Sequence, residues 1–337
     1  MHYMLSRIIS LSVFIAVFLI SHASICQELF ILNEPASSVP KSVFGLRIYH
    51  HAYDELDTKR KLFAIRAMYG VTSRLSLFVN TSVSNHHDKK LPPDLINHTH
   101  TGNQTNYFTS TIKRGRKYPY LFTGMNVFAK YRFLSLDKKY EHFRMAGYSE
   151  WSNANVAHDE AEPNLMDDTA GFGFGIISTY LKNRFAISLN TGYIVPQSYT
   201  EDQPDFSGGP NLPTIIHYGK AIKYNISIGY RLFPRKYENN YKHVNTNIYL
   251  EFTGKTVDAA RVIQAGTEIA PRTAALKRSN YIEVSPGLQR IFNSNLRVEV
   301  CFTYPLLKGS FAHFTPAFTL AMQRYFYRKT KKSSKDK

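Results

Sequence analysis

From residue 43 onward, apolar and polar residues alternate in one long segment after another. In 185–193, Phe185, Ile187, Leu189, Thr191 and Tyr193 take one phase, and Ala186, Ser188, Asn190 and Gly192 take the other. In 222–232, Ile222, Tyr224, Ile226, Ile228, Tyr230 and Leu232 interleave with Lys223, Asn225, Ser227, Gly229 and Arg231. Segments 244–253 and 296–304 repeat the pattern. Successive side chains of a strand point to opposite faces, so each segment reads as a strand with one apolar and one polar face. Weaker copies fall near 43–52, 61–69, 75–85, 121–133, 142–152, 169–181, 279–291 and 314–327, giving twelve strands.

Soluble sandwiches also alternate, so three further features decide between them and a membrane barrel. The segments match the roughly 9–11 residues a tilted membrane strand needs, where soluble strands average about 5–6. Tyr and Phe gather near strand ends (Tyr69, Tyr131, Phe133, Tyr193, Tyr230, Phe233, Tyr325, Phe326, Tyr327), as interfacial girdles require. The connections alternate in length. Short turns at 70–74, 135–139, 182–184 and 293–295, with a medium one at 234–241, interleave with loops near 53–60, 86–119, 153–168, 197–216, 255–277 and 306–312. Lipid cannot satisfy a strand edge, so a spanning sheet must close. The expected fold is an all-β, transmembrane, antiparallel up-and-down β-barrel of about twelve strands, with its apolar face outward.

The compartment follows from the N-terminus. Arg7, the apolar run 8–20 and the small residues after it have the layout of a secretory signal peptide. Cleavage is expected before Gln27, with an uncleaved anchor as the alternative. Ile25 argues against lipidation of Cys26. The expected organisation is a signal peptide over 1–26, a periplasmic lead-in over 27–40, the barrel over 41–327 and a basic periplasmic tail over 328–337. The expected location is the bacterial outer membrane. The chain carries 42 Lys+Arg against 25 Asp+Glu, a net charge of +17. That excess would suggest nucleic acid in another compartment. Here it is spread over tail, loops and inner wall, so nucleic acid is not an expected partner. Outer-membrane lipid, lipopolysaccharide and a small-molecule solute are.

Four segments carry a family resemblance: Arg66–Phe78 (RAMYGVTSRLSLF), Val127–Phe133 (VFAKYRF), Asp167–Gly175 (DDTAGFGFG) and Asn183–Tyr193 (NRFAISLNTGY). In this order they resemble the outer-membrane barrel family named for the meta-pathway of phenol degradation. The resemblance implies a barrel that moves small, sometimes aromatic, molecules. It carries over no catalytic residue. The His-rich loop and the basic tail depart from the family and put an aromatic substrate in doubt.

The alternation names the charges expected to line the lumen: Arg47, Arg66, Lys130, Arg132, Arg144, Glu150, Lys223, Arg231, Glu251, Glu283, Arg297 and Glu299. Two arrangements fit. In a wide pore, cations on the early strands and Glu251, Glu283 and Glu299 on the late ones would form a transverse field. In a narrow barrel the same groups would pair and plug it, since buried charges need partners. The expected function is passive passage or binding of a small molecule. A non-conducting structural barrel serving an envelope complex is the alternative.

His86, His87, His98 and His100 share one long loop and are candidate metal ligands, although their spacing matches no structural zinc pattern. No cofactor is expected otherwise. Ser198 and His217 sit near predicted outer ends, but no sequence pattern joins them to an orienting group, and no enzymatic activity is expected.

Overall fold

The computed structural model describes residues 29–55, 58–85, 117–154, 165, 169–205, 209–235, 244–270, 276–309 and 316–327. Sixteen strands follow in chain order: β1 (Phe44–Glu55), β2 (Thr58–Gly70), β3 (Leu75–Ser84), β4 (Leu121–Asp137), β5 (Glu141–Ala154), β6 (Gly171–Lys182), β7 (Phe185–Pro196), β8 (Tyr199–Pro204), β9 (Asn211–His217), β10 (Ala221–Phe233), β11 (Asn245–Val257), β12 (Arg261–Gln264), β13 (Thr267–Ile269), β14 (Ser279–Phe292), β15 (Leu296–Gly309) and β16 (Ala317–Phe326). Twelve of them close into a barrel in which sequence neighbours are sheet neighbours, and β16 returns to pair with β1. Phe44 faces Phe326, and Tyr53 faces Ala317, across that closing seam. All twelve coincide with the alternating segments.

The two phases of the alternation separate as lipid and lumen demand. Phe63, Ile65, Leu77, Val79, Phe174, Ile176, Leu189, Ile226, Leu250, Leu288, Val298 and Leu320 are exposed on the outer wall. Ser76, Asn80, Asn126, Thr179, Ser188, Asn190, Ser227, Gln289 and Thr319 are buried on the inner wall. An apolar exterior around a polar interior inverts a soluble barrel and suits a hydrocarbon solvent. Exposed aromatic residues ring both ends. Phe44, Tyr69, Tyr131, Phe133, Phe185, Tyr230 and Phe233 lie at the short-turn end, and Tyr120, Phe122, Trp151, Phe172 and Tyr304 toward the other. Tyr325 departs from the expected girdle. It shares the inward phase of β16 with Thr319, Ala321 and Gln323 and is buried, with its ring over the bare backbone of Gly45.

The connections differ from expectation in two places. The loop expected over 53–60 is almost absent, because β1 and β2 stay paired out to Glu55 and Thr58. The connections near 197–216 and 255–277 contain regular structure among their described residues. They carry β8, β9, β12 and β13, which form a separate four-stranded sheet in the order β13–β12–β9–β8. Ile216, Tyr218, Ala260, Val262 and Leu276 make its own small core. These strands are too short, and too interrupted by Pro204 and Pro213, for their alternation to stand out in the sequence.

The described part of the lead-in has no regular secondary structure and runs inside the barrel. Its last residues are tied to the β2–β3 turn: Ser42 N–H donates to Gly70 O (2.7 Å) and Ser38 Oγ to Arg74 O (3.1 Å). The chain then rises to mid-lumen at residues 31–34 and descends on the far side toward the β6–β7 turn, where Leu29 and Leu181 pack against the Phe30–Tyr249 cluster.

Candidate functional site in the lumen

Segment 29–43 has no β-ladder of its own, so its backbone polar groups must be satisfied by the wall. The wall supplies partners one by one. The Glu251 carboxylate accepts the N–H groups of Ile31 (2.8 Å), Leu32 (2.9 Å) and Asn33 (3.0 Å). It also takes the Asn33 side-chain amide and the Ser227 hydroxyl, each at 3.0 Å. Ala36 N–H donates to Thr179 Oγ1 (2.9 Å) and Val39 N–H to Ser76 Oγ (2.9 Å). Arg47 Nη2 donates to Ile31 O (2.6 Å), and Lys130 Nζ to Pro35 O (2.7 Å).

The segment's one acid in this stretch, Glu34, is clamped between two cations of the wall. Its Oε1 lies 2.6 Å from Arg66 Nη1, and its Oε2 lies 2.9 Å from Lys130 Nζ. Burial would raise the Glu34 carboxyl, but Arg66, Lys130 and Arg47 outweigh it and hold it at about 2, below the ordinary 4.5. The clamp rests on an aromatic shelf. Arg66 lies 4.5 Å from the Phe78 ring centroid and Lys130 lies 5.2 Å from it. Phe78 meets Phe128 edge-on at 5.4 Å, and Phe128 stacks on Tyr148 at 5.0 Å. Ala36, Val39 and Val43 cover this shelf together with Met68 and Ile177. On the opposite arc, Phe30 and Ile31 pack with Ala186, Tyr249 and the reduced, buried Cys301. The short-turn half of the lumen is thus packed with the chain's own residues.

Tyr148 spans two strands because two inward positions beside it are bare. A β-carbon added at Gly192 would meet the Tyr148 hydroxyl at 2.0 Å, and one at Gly175 would meet it at 2.6 Å. The ring therefore lies flat along β6 and β7 and reaches Lys223, whose Nζ is 4.8 Å from its centroid.

The residues singled out in the sequence fall into four groups. Arg66, Lys130 and Glu251 hold the lead-in. Arg47, Arg297 and Glu299 form a second knot: Arg47 lies 2.8 Å and Arg297 3.0 Å from the Glu299 carboxylate, which also accepts from Gln289 Nε2 (2.7 Å). Glu150 and Lys223 pair at 2.6 Å further along the lumen. Arg132 and Arg144 sit at the short-turn rim, where Arg132 donates to Ser73 O (2.9 Å) and Arg144 pairs with Asp137 (2.9 Å). Arg231 is buried on the inward phase of β10, and Glu283 is half-buried on that of β14. The charges meet in local knots and not as two facing walls.

Glu34 was not recognised from the sequence, nor were the inward aromatics Phe78, Phe128 and Tyr148. One signal for the first existed: the run 29–32 is wholly apolar and would need cover if the lead-in lay in water.

At the other mouth Leu165, from the β5–β6 connection, packs with Ile194, Ala221 and Val257. Ser198 Oγ and His217 Nδ1 lie 2.6 Å apart on the exposed side there. His86, His87, His98 and His100 lie outside the described residues, as do 1–28 and the tail 328–337. Among the described residues no three His, Cys, Asp or Glu are grouped to hold a metal.

A closed barrel with an apolar exterior, aromatic rings at both ends and a polar, charge-knotted interior has the architecture of outer-membrane channels and porins. One solved structure bears out that fold. An outer membrane channel from Pseudomonas putida F1 superposes with a TM-score of 0.52 at 12% identity, over 88% of this chain and 100% of that one. The NanC porin superposes at 0.44 and 8% identity, over 83% and 98%. No protein-family model matches the sequence, and no curated protein matches it.

Proposed function

We propose that the protein is an outer-membrane channel for a small solute, held closed by its own segment 29–43. The observation that carries this reading is the manner of closure. The segment is anchored by side chains of the inner wall, through the Glu34 clamp and the Glu251 cup, and not by strand pairing. Such contacts can be released without opening the barrel sheet. The outer-membrane location, the removal of residues 1–26 and the absence of catalysis belong to this proposal. The resemblance to the phenol meta-pathway barrels supports passage of a small molecule. An aromatic cargo is one option within it, favoured by Phe78, Phe128 and Tyr148 on the inner wall.

The packed lumen equally favours a second reading, a non-conducting barrel that serves an envelope complex. Planar-bilayer conductance separates the two. The wild-type protein is expected to conduct rarely. The Glu34→Gln/Glu251→Gln double variant is expected to open at least about ten times more often, since every 1.4 kcal/mol lost from the closed state shifts the equilibrium tenfold. A folded double variant that never opens defeats the channel reading and leaves the structural one.

A further inference from the structure

Outside the fold's own needs, the most developed feature of the inner wall is the place where Glu34 sits. Two cations, Arg66 and Lys130, converge on one carboxylate at 2.6 and 2.9 Å. Both stand over one ring, Phe78, at 4.5 and 5.2 Å. From that ring an apolar shelf runs through Phe128 to Tyr148, and the methyl groups of Ala36 and Val39 lie in the same cluster. The occupant is thus a carboxylate followed by a compact apolar body. A carboxylate bound to Arg and Lys gains charge-assisted hydrogen bonds. The cations gain from the ring faces below them, and apolar atoms on the shelf gain by leaving water. None of these gains requires the carboxylate to belong to the protein chain.

We infer that Arg66, Lys130, Phe78, Phe128 and Tyr148 form a binding site for a small organic monocarboxylate with a compact apolar body, and that Glu34 occupies it as a built-in competitor. The inference deepens the channel reading, on which it rests for the meaning of binding: a carboxylate solute that displaces Glu34 would loosen the closing segment at the point where the solute must pass. A tethered competitor acts at an effective concentration on the order of millimolar. Binding to the wild-type protein is therefore weak, and removing the Glu34 carboxylate unmasks the site.

The test is isothermal titration of the full-length protein in detergent with sodium hexanoate and, separately, with neutral hexanamide. Glu34→Ala is expected to bind hexanoate at least about ten-fold more tightly than the wild type, because the intramolecular competitor is gone. Adding Arg66→Gln is expected to abolish that gain, and hexanamide is expected to bind neither protein. No gain in Glu34→Ala, a gain that survives Arg66→Gln, or hexanamide binding as well as hexanoate would each overturn the site. The shifted mobility of the unheated barrel on gels confirms folding. Should Glu34→Ala fail that check, Glu34→Gln, which keeps the side chain and removes its charge, is judged on the same criteria.

Chloride conductance recorded on the same variant keeps the two readings apart. Opening without hexanoate binding overturns the carboxylate site and leaves the channel. Hexanoate binding to Glu34→Ala, with no opening even of the Glu34→Gln/Glu251→Gln double variant, leaves the site and overturns the channel.

Discussion

Glu34 Oε1 lies 2.6 Å from Arg66 Nη1, inside a barrel whose wall residue 34 does not help to build. The contact joins an irregular segment to β2, and its strength depends on Glu34 being ionised. The carboxyl is held at about 2 against an ordinary value of 4.5. A depressed pKa stabilises docking fully above pH 4.5, and the contribution is lost as pH falls from 4.5 toward 2. It is worth on the order of 3 kcal/mol at neutral pH. Channel opening in planar bilayers is therefore expected to rise steeply below pH 4.5 in the wild type. In Glu34→Gln that rise is expected to vanish, with opening already high at pH 7. A flat pH profile in the wild type would refute the linkage.

The Glu251 cup is expected to govern the apex of the segment. Its carboxylate accepts three consecutive backbone N–H groups, which have no strand partner. Leaving a buried donor unmet costs about 1–3 kcal/mol. In Glu251→Ala, hydrogen exchange at the amides of Ile31, Leu32 and Asn33 is expected to speed up by about two orders of magnitude. Exchange in the barrel strands β2 and β15 should stay as slow as before. Equal acceleration in those strands would mean that Glu251 supports the sheet and not the segment.

Arg47 and Glu299 should behave as a buried pair. Removing one partner strands the other charge and costs about 3–5 kcal/mol, while removing both costs less than the sum. Arg47→Met and Glu299→Gln, singly and together, can be compared by urea unfolding in detergent. Arg297 also contacts Glu299, so the Glu299→Gln single variant is expected to be the worse of the two. Additive losses would show that the pair carries no coupling.

Gly192 tests the aromatic shelf. A β-carbon there would sit 2.0 Å from the Tyr148 hydroxyl. Gly192→Ala is expected to destabilise the barrel by about 1–3 kcal/mol through overpacking. In a Tyr148→Ala background the same change should cost far less, because the obstructing ring is gone. Thermal unfolding of the four proteins decides it, and an equal cost in both backgrounds would place the strain elsewhere.

The barrel was legible in the sequence because lipid and lumen impose opposite preferences on alternate residues. Ile226 and Ser227, or Leu250 and Glu251, can then be told apart by period alone. The same rule puts Arg66, Lys130, Glu251 and Glu299 on the inward phase of their strands. It could not pair them, since pairing depends on curvature and on what enters the lumen. Glu34 lies in a segment without alternation, so no period marks its direction. Phe78, Phe128 and Tyr148 break the polar-inward rule, and the reason becomes visible only with Ala36 and Val39 lying against them. The sheet of β8, β9, β12 and β13 was missed because its pairing joins two hairpins far apart in sequence.

The course of the closing segment has a topological consequence. Both ends of its described course lie at one mouth, with Ser42 tied to Gly70 at the β2–β3 turn and Leu29 down beside the β6–β7 turn. Within the described residues the chain therefore dips into the barrel and is not threaded through it. That described stretch can be withdrawn like a finger from a ring, with no rung of the barrel broken.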